Sequence, residues 1–84
     1  MENYFFKDEE ILTIDLHHMR EWEAVIYLNN IIQKAPNNIR EIVVIHGYHN
    51  GTKLLNMVRK EYKNSCIRKK LLSLNQGVTS LILK

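Results

Sequence analysis

Two short apolar runs separated by an amphipathic segment constrain the fold of this chain more than any other feature. Residues 11–16 (ILTIDL) and 42–45 (IVVI) are predicted to be β-strands, because both are short, apolar and rich in β-branched side chains. Residues 20–35 repeat apolar side chains every three to four positions, as an amphipathic helix does, and Pro36 ends the repeat. Because strand–helix–strand crossovers are right-handed, we expect the two strands to be parallel neighbours.

The rest of the chain continues this alternation. The pattern predicts a second helix over residues 52–63, a third strand over 67–74 and a fourth strand over 78–83, with Gly77 in the connecting turn. The order is then βαβαββ, with strands one to three parallel and the fourth antiparallel. A chain of 84 residues allows one compact core. We therefore predict an α/β protein, an α+β two-layer sandwich in which two helices cover a four-stranded mixed sheet. The helices are expected to pack through Leu28, Ile32, Leu54 and Val58.

The histidines of the chain cluster where the first two predicted strands end. All four follow those strands closely: His17, His18, His46 and His49. The carboxyl ends of parallel strands open on the same edge of a sheet, which is where open α/β folds bind ligands. The histidines, together with Asp15, are therefore expected to surround one crevice.

Asp15 and His17 are the pair best suited to acid–base chemistry. They are two residues apart on a strand, so their side chains are expected to share a face. A carboxylate beside an imidazole orients the ring and fixes its tautomer, as a general base requires. The alternative is structural: Asp15 caps the following loop and His17 packs beneath it.

The segment after the second strand combines glycines with a basic residue. Gly47 and Gly51 permit tight backbone turns, and Lys53 lies at the predicted start of the second helix. Backbone N–H groups and a lysine at this point suit a phosphate. The alternative is that the glycines only turn the chain into the helix.

The aromatic residues differ in their expected roles. Tyr48, in the loop beside His46, is the better candidate for stacking on a nucleic-acid base. Trp22 and Tyr27, on the first predicted helix, are expected to be packing residues.

The sequence predicts no metal site, although a divalent metal remains an alternative. Imidazole and carboxylate ligands suit Zn, Ni or Cu, but no dense metal motif such as HExxH is present. The single cysteine, Cys66, excludes both an internal disulfide and a cysteine-based zinc cluster. The ligands of the alternative site would be His17, His18, His46 and His49.

Charge is distributed unevenly along the chain. Residues 1–30 carry seven acidic and two basic side chains, whereas residues 31–84 carry ten basic and two acidic ones, a net charge of +8. A basic surface on a small domain is typical of proteins that bind polyanions, although lysines also solubilise ordinary surfaces. No stretch approaches a membrane span, and the acidic start MENYFFKDEE lacks the pattern of a signal peptide. We expect a cytoplasmic location and no membrane partner.

The ordered motifs resemble those of a known family. IDLH ends the first strand, Glu23-Ala24 opens the helix, VIHG ends the second strand and precedes Gly51 and Leu54, and GVTSLIL forms the fourth strand. This pattern resembles the Smr (small MutS-related) domain, which carries an LDLH-like motif, an HGxGxG-like motif and a terminal GxT strand in this order. The resemblance covers residues 12–84. We therefore expect residues 1–10 to be an N-terminal extension and residues 11–84 to be an Smr domain.

The resemblance implies a fold like the C-terminal domain of the third bacterial translation initiation factor. It also implies nucleic-acid binding and, in several members, endonuclease activity on DNA or RNA. Asp15 and His17 match the family's acid and histidine, His46 and Gly47 match its HG pair, and Gly51 matches its later glycine.

Two positions differ from the family pattern. The family usually has glycine after its first histidine and at the fourth place of its second motif, whereas this chain has His18 and His49. Either these histidines replace glycines in a copy that has lost catalysis, or they recruit a metal. A side chain where backbone should meet phosphate can block the substrate.

We therefore interpret the chain as a bacterial-type Smr domain that binds nucleic acid and, as an endonuclease, hydrolyses its phosphodiester bonds. Asp15 would orient His17, and either His17 or His46 would move a proton. The residues expected to contact nucleic acid are Gly47, Tyr48, His49, Gly51, Lys53, Arg59, Lys60 and Lys63. The alternatives are a non-catalytic module bound to nucleic acid or to larger nucleoprotein machinery such as a ribosome, and a metal- or anion-binding protein. The choice between DNA and RNA stays open.

Overall fold

A computed structural model describes the backbone of residues 4–6, 10–49 and 51–84. Its elements are β1 (Tyr4–Phe6), β2 (Ile11–Asp15), α1 (Glu21–Lys34), β3 (Glu41–Ile45), α2 (Lys53–Asn56) followed directly by a π-helix (Met57–Glu61), β4 (Ile67–Leu72) and β5 (Val78–Leu83). The strands form one five-stranded sheet in the order β1-β2-β3-β5-β4.

The sheet confirms the predicted fold class and strand directions. β2 and β3 are parallel, and β5 lies between β3 and β4, antiparallel to both. β2, β3 and β4 therefore run in one direction and β5 in the other, as predicted. β1 lies within the predicted N-terminal extension, pairs antiparallel with β2 and adds an edge strand that the sequence pattern did not predict.

Helix α1 has bounds that follow from its local sequence. At its start, the backbone N–H of Arg20 donates a 2.8 Å hydrogen bond to the Glu23 carboxylate. At its end, Ala35 is extended, because the proline ring of Pro36 disfavours a helical conformation in the preceding residue. The residues that α1 buries are spaced four apart: Ala24, Leu28 and Ile32.

The second helix differs from the single regular helix that was predicted. After Asn56 it widens into a π-helix, in which the backbone N–H of Tyr62 donates a 2.6 Å hydrogen bond to the carbonyl of Met57. Val58 is fully buried and Leu54 packs against the core, as the sequence predicted.

The helices cover one face of the sheet, and a single core lies between the two layers. Strand side chains that share this face pack against helix side chains: Leu12, Ile14, Ile42, Val44 and Leu81 against Ala24, Leu28, Ile32, Met57, Val58 and Tyr62. Tyr27 packs at the margin of this core. The prediction that Trp22 is a packing residue is wrong, because its side chain is 61% exposed on the solvent side of α1.

Candidate functional site

The carboxyl edge of the parallel strands holds a cleft. Asp15 pairs with Ile45, so His46 follows at the same edge of the sheet as Asp15, as the predicted topology requires. The cleft has a volume of about 670 Å³. It is lined by Asp15, His17, His18, Met19, Ile45, His46, Gly47, Tyr48, His49, Gly51, Lys53 and Leu54. The structure therefore brings together the four histidines and most of the predicted site residues.

Asp15 and His17 form a hydrogen-bonded pair at the mouth of this cleft. The Asp15 carboxylate accepts a hydrogen bond from Nδ1–H of His17 and a second, of 3.0 Å, from the backbone N–H of His17. The two bonds fix the orientation of the imidazole. Because Nδ1 carries the bonded hydrogen, Nε2 of the neutral ring keeps its lone pair. The side chain of His17 is 51% exposed and lines the cleft.

His18 lies beside this pair in an unusual backbone conformation. Its φ angle is +74°, in the left-handed region that favours glycine. This backbone conformation is a physical reason why the family usually carries glycine at this position. The His18 ring lies 4.2 Å from the His17 ring, centroid to centroid, and the two planes are tilted by 51°.

His46 is buried beneath the cleft, and both of its ring nitrogens have partners within the protein. Nδ1–H donates a 2.9 Å hydrogen bond to the carbonyl of Gly47, and Nε2 accepts a 2.8 Å hydrogen bond from the hydroxyl of Thr79. The Thr79 hydroxyl oxygen in turn accepts a 2.8 Å hydrogen bond from Nε–H of Arg59. We call this chain of hydrogen bonds, from Arg59 through Thr79 and His46 to Gly47, the buried relay.

The direction of each hydrogen bond in the buried relay follows from the donor chemistry. An arginine only donates and a carbonyl only accepts, so the Thr79 oxygen accepts from Arg59, and Nδ1 of His46 carries the hydrogen that bonds Gly47. In the neutral ring, Nε2 then accepts the hydrogen of the Thr79 hydroxyl. Burial lowers the pKa of His46, the nearby Arg59 charge lowers it further, and the hydrogen bond to Gly47 opposes the shift. The geometry therefore favours His46 as a residue that holds the loop in place and not as the one that moves a proton.

The loop after β3 forms the other wall of the cleft. Gly47 has a φ of +73°, and its backbone N–H, like that of His46, donates to the carbonyl of Gly77 in the β4–β5 turn. The rings of Tyr48 and His49 stack with centroids 4.3 Å apart and planes inclined by 28°. Tyr48 and His49 thus present a flat surface, while Lys53 supplies a positive charge at the same cleft.

The basic residues predicted on the second helix do not form one surface at the cleft. The Arg59 guanidinium donates to the carbonyls of the β4–β5 hairpin, at 2.8 Å to Val78 and at 3.4 Å to Ser73 and Asn75. It fastens the π-helix to the hairpin and is not directed at the cleft. Lys60 and Lys63 are exposed outside the cleft, and Lys63 borders a groove between the two helices.

The alternative of a four-histidine metal site does not fit this geometry, because both nitrogens of His46 are already hydrogen-bonded. Across residues 10–49 and 51–84, no group of three or more His, Cys, Asp or Glu side chains is arranged to hold a metal ion. In the same described part of the chain, no helix has the length and apolar character needed to cross a membrane.

Sequence reasoning missed the parts played by Thr79 and Gly77. Thr79 is fully buried and connects His46 to Arg59, and the Gly77 carbonyl accepts the N–H groups of both His46 and Gly47. The GVT string, which matches the GxT strand of the family, pointed to these residues, but the sequence alone did not indicate that Gly77 and Thr79 contact the loop after the second strand.

The fold and cleft define a small α+β domain whose candidate site lies at the carboxyl edge of its parallel strands. The crystal structure of the Smr domain of Thermus thermophilus MutS2 has the same fold: the TM-score is 0.75 over 86% of this chain and 96% of that chain, at 17% sequence identity. A family model described as Smr domain matches residues 14–79. The chain therefore belongs to the Smr domain family, which is associated with nucleic-acid binding and nuclease activity. A search of curated proteins found no match.

Proposed function

We propose that this Smr domain binds nucleic acid at the cleft and cleaves its phosphodiester backbone, with His17 as the general base. The observation that carries the proposal is the Asp15–His17 pair, because it orients an exposed imidazole at the lining of the cleft and leaves the lone pair on Nε2. A base needs this combination of a free lone pair and access to the proton that it removes.

Asp15 acts through His17. Its carboxylate holds the tautomer that bears hydrogen on Nδ1, and it stabilises the positive ring that forms when Nε2 takes a proton. Asp15 is therefore a positioning residue. The buried relay positions the opposite wall of the cleft, because it fixes the Gly47 carbonyl and with it the start of the loop that carries Tyr48.

The surroundings of the pair suit a nucleic-acid strand. Lys53 offers a positive charge to a phosphate at the cleft, and the stacked rings of Tyr48 and His49 offer a surface for a base. Lys60, on the π-helix, and Lys63, just after its end, are exposed and extend the positive charge beyond the cleft. Such contacts supply affinity without sequence preference.

The test is to incubate the pure protein with labelled single-stranded, duplex and branched DNA and with RNA, with and without divalent metal. Binding and cleavage are measured separately. We expect His17→Ala to abolish cleavage and to retain most of the affinity, and Asp15→Asn to lower the cleavage rate with the fold unchanged. If wild type binds these nucleic acids but cuts none of them, the domain is a binding module. If it binds none, the proposal is wrong.

A further inference from the structure

His18 occupies a position where a glycine would be conformationally easier. It is the only non-glycine residue with a positive φ among the described residues. Its side chain is exposed, lines the cleft and contacts the His17 ring. Within the described part of the chain, no hydrogen bond engages the His18 imidazole, so its nitrogens are available to a ligand. Strained backbone at a cleft is often retained because of what the side chain does there.

We propose that His18 is the catalytic acid that works with His17, and that the substrate of this pair is RNA cleaved through its own 2′-hydroxyl. This inference rests on the proposed phosphodiesterase function and deepens it.

The reaction balances with these two imidazoles alone. Nε2 of His17 removes the proton of the 2′-hydroxyl, and the 2′-oxygen forms a bond to phosphorus. The bond between phosphorus and the 5′-oxygen breaks, and the leaving 5′-oxygen takes a proton from the His18 imidazolium. The products are a 2′,3′-cyclic phosphate and a 5′-hydroxyl, and proton exchange with water restores both rings. Imidazole suits both tasks because it gains and loses a proton near neutral pH.

The other charged and titratable groups at the cleft leave these two roles to His17 and His18. Asp15 is bonded to the far nitrogen of His17, and His46 is directed inwards to Thr79. Lys53 is placed to hold the phosphate, and His49 is stacked on Tyr48. RNA carries its own nucleophile, so the reaction needs one group to accept a proton and one to donate a proton. Two adjacent imidazoles meet that requirement.

The first experiment uses a labelled DNA oligonucleotide that contains one ribonucleotide, beside an all-DNA copy and a copy with a 2′-O-methyl group at that position. We expect cleavage of the first only, at the ribonucleotide, with a cyclic phosphate and a 5′-hydroxyl as the new ends. If all-DNA is cut equally well, or the products are a 5′-phosphate and a 3′-hydroxyl, the proposed function stands and this inference fails. If RNA and DNA are both bound but never cut, both fail.

The second experiment isolates His18. His18→Gly should fold, since glycine accepts the left-handed conformation, and should cut ordinary RNA about 100-fold more slowly. A substrate with sulfur in place of the leaving 5′-oxygen needs no acid, because a thiolate leaves without a proton. We expect wild type and His18→Gly to cut that substrate at similar rates, whereas His17→Ala slows both substrates. A His18→Gly protein that cuts ordinary RNA at the wild-type rate or faster would overturn the proposal and show that His18 merely replaces a glycine.

Discussion

The Thr79 hydroxyl and Nε2 of His46 are joined by a 2.8 Å hydrogen bond across 33 residues of sequence. This contact connects β5 to the end of β3, and Arg59 extends it to the π-helix. Three elements thus meet at one hydroxyl group beneath the cleft, so the shape of the cleft depends on a residue that does not line it.

Removing that hydroxyl should destabilise the protein. Thr79→Val keeps the shape of the side chain but leaves Nε2 of His46 and Nε–H of Arg59 without their partner. Buried polar groups left unsatisfied cost about 1–3 kcal/mol, so we expect the free energy of unfolding to fall by that amount. Thr79→Ser retains the hydroxyl and is the matched control. Equal urea denaturation midpoints for Thr79→Val and wild type would contradict the role of the relay.

The stability of the fold should decrease in mild acid because of His46. Its pKa in the folded protein is lowered from 6.5, mainly by burial, so below about that pH the unfolded chain binds more protons than the folded one. The contribution of neutral His46 is therefore complete above pH 6.5 and is lost as the pH falls through the folded-state pKa. We expect His46→Gln to be less stable overall but to show a weaker pH dependence in denaturation series. If the stability of wild type and of His46→Gln changes with pH in the same way, His46 is not the source of the acid sensitivity.

The stability of variants at position 18 should depend on how well each residue tolerates a left-handed backbone conformation. His18→Gly removes the conformational cost, and we expect its stability to match or exceed that of wild type by up to about 1 kcal/mol. His18→Val places a β-branched residue in the same conformation and should lower stability by about 1–2 kcal/mol. Thermal unfolding of wild type, His18→Gly and His18→Val measures this order of stability. Equal stability of the glycine and valine variants would mean that the backbone rearranges at this point.

Charge reversal should weaken nucleic-acid binding most at the cleft. Lys53→Glu places a negative charge where we propose a phosphate to lie, and we expect a larger loss of affinity than for Lys63→Glu, which alters an exposed position outside the cleft. Lys34→Glu is the matched control, because Lys34 ends α1 at the opposite edge of the sheet. Affinity should also fall steeply with salt, with a smaller salt dependence for Lys53→Glu. If all three variants bind equally, the positive charge serves only solubility.

The sequence was sufficient to predict that Asp15 and the four histidines lie around one cleft. Parallel strands joined by a helix place their carboxyl ends together, so Asp15 and His46 had to share an edge once the two strands were recognised. The contact between Asp15 and His17 was also expected, but from strand alternation, whereas β2 ends at Asp15 and His17 lies in the turn that the Asp15 carboxylate caps.

The sequence pattern did not predict side-chain contacts between residues that are distant in sequence. Nothing in the string VIHG distinguishes an exposed histidine from the buried one observed, because the partner of His46 lies on a strand far along the chain. Arg59 was expected to contact nucleic acid from a regular helix, whereas its segment is a π-helix and its guanidinium contacts the β4–β5 hairpin. In both cases the controlling contact joins elements that are distant in sequence.

The insertion of β5 between β3 and β4 also sets an order of events during synthesis. The ribosome produces β3 and β4 before β5, yet these two strands have no direct pairing and meet only through β5. A nascent chain that stops before Val78 lacks both Thr79 and the strand that joins the two parts of the sheet. The loop that carries Gly47 and Tyr48 then lacks the hydrogen bond from Thr79 to His46 that helps to hold it in place. The cleft is therefore expected to form only once β5 has left the exit tunnel, which would delay any cleavage activity until translation has passed this point.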